Sequence, residues 1–185
     1  MQLAEVIRND VIVDEIVLER FAVTARKNGR KRIAGLQVAG VRKGQVDLAA
    51  SLMGGRPFSY SGIVIKGRQL GRTLGFPTAN IEVPEDKITV RRGVYASLTH
   101  IGSSVYPSVT NVGKRPTFDD GDFDNAETHI FDFDEDIYGA RIKVDLLFFV
   151  RPEMRFDGIE ALSAQVESDK IMAKTYHAKS GMMSE

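Results

Sequence analysis

The chain has 185 residues, 43% of them hydrophobic, and its 25 Lys/Arg balance 25 Asp/Glu to a formal net charge of zero. That composition suits one globular domain with a remainder and gives no bulk electrostatic pull toward duplex DNA or an anionic membrane. With no cysteine, disulfides, thiolate nucleophiles and cysteine-held zinc or iron–sulfur centres are excluded.

The opening residues MQLAEVIRND lack the basic and apolar stretches of a signal peptide. No apolar run approaches the ~20 residues of a membrane span. Val11 to Val13 and Ile16 to Leu18 read as short β-favouring runs, and Arg26 to Arg32 carries five cations in seven residues. Val46 to Met53 reads as a short helix stopped by Gly54-Gly55. Residues 1–57 are too few for a core of their own and are expected to be an α/β appendage. Residues 58–185 form the main domain.

From Tyr60 the chain turns β-rich. Gly62 to Ile65, Gly93 to Leu98, Val105 to Val112 and Thr128 to Phe133 are strand candidates. Arg141 to Leu146 alternates strictly and then becomes apolar on both faces up to Val150, so one face is buried first and both later. Short strands at this spacing predict a closed or nearly closed antiparallel barrel. A last helix follows, with Asp157 as N-cap, Glu160 completing a capping-box variant, and Ile159, Leu162 and Val166 as a stripe covering the barrel. The tail after Tyr176 is expected to fray.

Generic motifs fail on inspection. Gly62 to Gln69 has Walker A glycine spacing without the Lys-Ser/Thr pair. Asp132-x-Asp134-x-Asp136 opens like an EF-hand, but Ile137 and Lys143 stand where glycine and glutamate belong. His100, His129 and His177 are too scattered for a metal site, and His129 reads as a hydrogen-bonded structural residue. From Thr117 to Asp136 there are nine Asp/Glu and no Lys or Arg.

Lys66 to Asn80, KGRQLGRTLGFPTAN, has glycines at intervals of four, three cations and no acid. Such glycines let backbone N–H groups close on an anion, and Arg68 and Arg72 add phosphate contacts. Thr78 and Asn80 share one face of an extended segment and offer two oxygens to a hard cation that bridges phosphates. A plain glycine-rich connection before a Pro-Thr turn accounts for the same residues. Glu127, opening a strand after the long acidic loop, is either surface charge or a site carboxylate.

Taken together, the segments GRTLGFPTAN (71–80), GVYA (93–96), NVGKRPTF (111–118), ETH (127–129), DIYG (136–139) and RPEMRFD (151–157) resemble the riboflavin kinase family. The likeness is to the kinase module of bacterial bifunctional riboflavin kinase/FAD synthetases, over about residues 58 to 173. It implies a mainly β fold, a six-stranded antiparallel Greek-key barrel with a C-terminal helix. It implies transfer of the ATP γ-phosphate to the riboflavin 5′-hydroxyl, giving FMN, in a cytoplasmic monomer. By resemblance, Gly67 and Arg72 cover the ATP phosphates, and Thr78 and Asn80 hold Mg²⁺ or another divalent cation. Glu127 is the base, and Ile130, Asp132, Tyr138, Arg151, Met154 and Phe156 contact the flavin side. The cation pair and Glu127 are expected to face each other across a gap one alcohol wide.

The family's bifunctional members carry a preceding adenylyltransferase domain. Residues 44 to 60 look like its tail, whereas Arg32 to Val38 lacks its serine-rich motif and no paired-histidine motif precedes His100. The front segment therefore reads as a remnant, with no FAD synthesis expected. A non-catalytic flavin- or nucleotide-binding barrel is the competing reading. A nucleic-acid arm at Arg26 to Arg32 is disfavoured by the charge balance, so no nucleic-acid or membrane partner is expected.

Overall fold

The computed structural model describes residues 39–67, 69–83, 88–115 and 123–181. The expected strands at 11–13 and 16–18, the basic run 26–32, Arg68 and part of the acidic run lie outside them.

Six strands carry the fold: β1 (Phe58–Ile63), β2 (Ala79–Glu82), β3 (Gly93–Ile101), β4 (Ser104–Arg115), β5 (Phe123–Ile130) and β6 (Arg141–Pro152). All pairings are antiparallel, in the order β1-β6-β3-β4-β5-β2. An antiparallel bridge from Ile65 to Asn80 brings the chain just after β1 onto β2, so the sheet almost closes. The expected barrel is thus present. Its strands run longer than the sequence suggested at β3, β4 and β6. β5 begins earlier and stops at Ile130, because Asp132 turns at φ 54°.

Alternation along β6 sends Ile142, Val144 and Leu146 inward, against Tyr60, Ile81, Tyr95, Val112 and Ala126. Tyr60 is fully buried, and its hydroxyl donates to Ile88 O and accepts from Val90 N, each at 3.1 Å. Part of the lumen is polar. Thr99, Ser108, Ser97, Thr110 and Thr128 form a chain of buried hydroxyls with links of 2.9, 2.8, 2.7 and 2.9 Å. Each member meets a partner, so the polar burial is compensated. The chain ties β3, β4 and β5 together and ends one residue from Glu127.

The helix expected at 46–53 is α1 (Val46–Leu52), released by Gly54 and Gly55 at φ 70° and 81°. Val41, Val46 and Ala49 are buried in the barrel's main core. The packed unit therefore reaches back across the expected boundary after residue 57. A four-residue turn, α2 (Leu70–Thr73), sits in the glycine-rich connection.

The C-terminal helix α3 (Ile159–Lys179) differs from expectation in three ways. Its N-cap is Gly158 with no side-chain cap, so Asp157 and Glu160 form no capping box. Its buried residues are Asp169, Ala173 and His177, at i, i+4 and i+8, while Ile159 is 53% exposed. Of the tail expected to fray, the described part is anchored at His177, which is fully buried with Nε2–H donating to Ser108 O at 3.1 Å, and residues 182–185 lie outside the described residues. Ala173 and Tyr176 pack on the barrel's outer face with Val94, Ala96, Val109 and Phe148.

Burial lowers the His177 pKa from 6.5, against the opposing hydrogen bonds to the Ser108 and Ser97 backbone. Its Nδ1 is buried without a partner, so a second proton would have no acceptor. Burial likewise lowers the His129 pKa. The folded chain thus binds fewer protons than the unfolded one below pH 6.5. Their contribution is complete above that value and is lost as pH falls through the folded-state pKa. The unfolding temperature is expected to drop between about pH 7 and pH 5, with a shallower slope in His177→Gln. Equal slopes in scanning calorimetry would remove His177 from this account.

Candidate active site

The extended segment after Pro77 brings Thr78 and Asn80 beside β5. Cα pairing sets Asn80 opposite Glu127, and Ala79 opposite Thr128. Thr78 Oγ1 donates to Glu127 Oε1 at 2.7 Å, although 49 residues separate them. The gap expected between the cation pair and the glutamate is therefore bridged directly by the threonine hydroxyl. This geometry suits a metal-facing threonine. The carboxylate accepts the hydroxyl's hydrogen bond, and the hydroxyl oxygen's lone pairs are left for a cation.

His129 supports the same corner. Its Nδ1 lies 2.9 Å from Pro77 O, and a carbonyl only accepts, so the ring donates. The histidine is the structural residue the sequence suggested, pinning the loop that delivers Thr78. Gly67 packs on the other side of Asn80: a Cβ there would lie 2.6 to 2.9 Å from the Asn80 amide atoms.

Two cavities meet at this edge. The first, about 320 Å³, is lined by Val64, Gln69, Arg72, Pro77, Ala79, Thr128, Ile130 and the 133–138 loop. The second, about 370 Å³, lies between the barrel's outer face, α3 and the segment after β6. Its walls include Phe76, Val94, Val109, Glu127, Arg151, Met154, Phe156, Leu162 and Val166. Gly67, Thr78 and Asn80 line both.

This geometry divides the residues expected on the flavin side. Arg151, Met154 and Phe156 line the second cavity with Glu127. Ile130 and Tyr138 line the first with Arg72. Asp132, exposed and in its turn, lines neither. Arg151 is held by a bidentate bond to Asp169 of α3, 2.8 and 2.7 Å, and lies 5.8 Å from the Phe156 ring. It therefore clamps the second cavity's two walls together.

Leu162 and Val166, expected to cover the barrel, face this cavity instead, since the buried stripe begins only at Asp169. Asn111 and Lys114 also line it. They sat in a quoted motif but carried no assigned role. The register of β4 against β5 sets Asn111 opposite Glu127 and Lys114 opposite Asp124.

Among the described residues there is no cluster of three or more His, Asp or Glu able to hold a metal. The neutral oxygens of Thr78 and Asn80 nevertheless fit a cation that keeps most of its ligands as water and phosphate oxygen. Next to them Asn125 Oδ1 is a buried acceptor with no partner, a sign that this corner is polar beyond its own needs.

Comparison with known proteins gives a consistent result. The Flavokinase family, described as riboflavin kinase, matches residues 54–177. A bifunctional riboflavin kinase/FMN adenylyltransferase from Bacillus subtilis is 40% identical over 74% of this chain and 43% of its own. An RNA-binding riboflavin kinase from the same organism is 41% identical over 59% of this chain and 46% of its own. A crystal structure described as a macrolide-efflux protein from Streptococcus pneumoniae superposes with a TM-score of 0.70 at 33% identity. It covers 79% of this chain and 46% of that one. The chain spans less than half the length of these two curated relatives. A family match over most of the chain, on a barrel of the expected topology, fixes the assignment: the chain belongs to the riboflavin kinase family.

Proposed function

We propose that the chain transfers the γ-phosphate of ATP to the 5′-hydroxyl of riboflavin, with Mg²⁺ or a similar divalent cation, giving FMN. The observation that carries this reading is the shared edge of the two cavities. Two separate ligands can lie in them and meet at Gly67, Thr78 and Asn80, with Glu127 2.7 Å from Thr78 on the second side.

The first cavity suits the nucleotide. Its lining combines Arg72 and Gly67 with Asp134, Glu135 and Asp136, a cation and a bare backbone for phosphates and carboxylates for hydroxyls. In this reading the phosphates meet Arg72 and Gly67, and the ribose hydroxyls and base meet the acids, Ile130 and Tyr138. The second cavity suits riboflavin. Its apolar walls of Met154, Phe156, Leu162 and Val166 match a flat isoalloxazine, and Asn111 and Glu127 in the same lining can meet the ribityl hydroxyls.

A phosphoryl transfer asks mainly for alignment and charge neutralisation. Thr78 and Asn80 would hold the cation, which neutralises phosphate charge when bound. Arg72 adds a fixed positive charge. Glu127 accepts the hydroxyl proton as the alcohol oxygen attacks, and the Thr78 bond keeps the carboxylate aimed along the edge. The Arg151–Asp169 clamp holds the flavin walls.

Incubation of the purified chain with riboflavin, ATP and Mg²⁺, with chromatographic separation of flavins, tests this. FMN is the expected product. A folded chain that binds riboflavin but yields no FMN would instead support the binding-module reading. The same chromatogram, with FMN supplied, tests the expectation that no FAD forms. A monomer is expected, and analytical ultracentrifugation checks it.

A further inference from the structure

Asn80 and Asn125 form a side-chain amide pair at the shared cavity edge, and the reading above gives Asn125 no task. Asn125 Nδ2 donates to Asn80 Oδ1 at 2.8 Å. Asn80 is only 6% exposed, and its Nδ2 is the atom nearest to where a Gly67 Cβ would stand, at 2.6 Å. The Asn80 oxygen is thus engaged with Asn125, while the amide lies against Gly67, which lines both cavities, its nitrogen at 2.6 Å and its oxygen at 2.9 Å from where that Cβ would stand. Asn125 Oδ1 is meanwhile buried without a partner. This arrangement leaves one buried acceptor unsatisfied.

A primary amide presents two donors on one side and an acceptor on the other. Two facing amides therefore have two paired arrangements, related by a half-turn of both. In the one seen, Asn125 donates to Asn80. In the other, Asn80 Nδ2 donates to Asn125 Oδ1, the Asn125 amide nitrogen takes the buried place its oxygen leaves, and Asn80 Oδ1 swings toward the edge. Each arrangement keeps one amide–amide bond. A cation selects between them, because it binds the oxygen and is repelled by the NH₂ group.

We propose that Asn125 is a positioning residue for Asn80, its amide deciding whether oxygen or nitrogen of Asn80 is presented to a divalent cation at the edge of the two cavities. The inference rests on the kinase reading of this site. Asn125→Asp is nearly isosteric and can only accept, so it holds Asn80 with its oxygen outward. Asn125→Leu is of similar size and holds neither arrangement. An unguided Asn80 is competent for only part of the time, and the apparent affinity falls by that fraction.

The test titrates Mn²⁺ in the presence of ADP, read by electron paramagnetic resonance, with riboflavin binding followed by flavin fluorescence quenching. Asn125→Leu is expected to weaken Mn²⁺ about tenfold, well beyond any change in riboflavin binding at the second cavity that Asn125 also lines, and Asn125→Asp to match or exceed wild type. In an Asn80→Ala background both substitutions should have no further effect on Mn²⁺, since Asn125 then has nothing to orient. The proposal is overturned if Asn125→Leu binds Mn²⁺ like wild type, or if the leucine and aspartate variants lose affinity alike. It is equally overturned if the aspartate effect persists without Asn80, because charge alone would then explain it. Should the leucine variant not fold, the aspartate variant with and without Asn80 still decides. A wild-type chain that binds Mn²⁺ with ADP but forms no FMN sinks the kinase reading alone. One that binds no Mn²⁺ sinks both.

Discussion

Replacing Glu127 by Gln is expected to lower FMN formation ~10²–10⁴-fold, the usual worth of a positioned base, with riboflavin and ADP still bound. The substitution keeps size and an oxygen able to accept the Thr78 hydroxyl, so the 2.7 Å link that orders the corner survives. What is lost is the capacity to take a proton from the attacking alcohol. Glu127 lies beside Thr128, the end of the buried hydroxyl chain, on a strand paired on both sides. The fold around it is therefore insensitive to the change, and the unfolding temperature should stay near that of wild type. Steady-state turnover, flavin fluorescence quenching and calorimetry separate the outcomes. Intact turnover would remove Glu127 from the base role. A parallel loss of riboflavin binding would make it a binding group.

Gly67→Ala is the second large effect. The new methyl would stand 2.6 Å from Asn80 Nδ2 and 2.8 Å from its Cγ. In an exposed side chain such crowding is relieved by a small rotation. Asn80 is 6% exposed and bonded to Asn125, so it must leave its place or push the loop away. A displacement of ~1 Å at a reacting centre can cost ~10²-fold in rate, and that is the loss expected here. The divalent-cation concentration for half-maximal turnover should rise in parallel, while riboflavin binding remains. Unchanged cation dependence would show that Asn80 does not serve the cation.

The two substitutions read the site from opposite sides, and their contrast reflects how it is built. Glu127 acts through chemistry on a rigid strand. Gly67 acts by lacking a side chain, which lets the backbone lie on the Asn80 amide. Neither role shows in the identity of the residue alone.

Much of the barrel was legible beforehand. Alternation in Arg141 to Leu146, turning into burial on both faces, marked β6 because strand side chains alternate whatever their partners. Gly54-Gly55 marked the end of α1 through backbone freedom. Reading failed where the answer depended on what lay opposite. Leu162 and Val166 have the spacing of a core stripe, yet α3 turns Asp169, Ala173 and His177 to the barrel and leaves those two over a cavity. A charged residue in a buried stripe is unreadable until Arg151 is known to meet it with two hydrogen bonds at 2.8 and 2.7 Å. His177, expected in a frayed tail, is buried because the Ser108 carbonyl awaits it.

The sequence by itself marked β3, β4 and β6, parts of β1 and β5, the helices α1 and α3, and the absence of cysteine chemistry, but not β2 or α2. These follow from local periodicity, backbone freedom and functional-group chemistry, which travel with the residues; the ATP-side roles of Gly67 and Arg72 and the base role of Glu127 came with the family resemblance. Only the tertiary structure decided that Thr78 touches Glu127, that Ile130 and Tyr138 part from Arg151 and Phe156 into different cavities, and that Asn125 faces Asn80. Those contacts join segments tens of residues apart through antiparallel register. Register is settled by the packing of the whole barrel, and no single segment carries it.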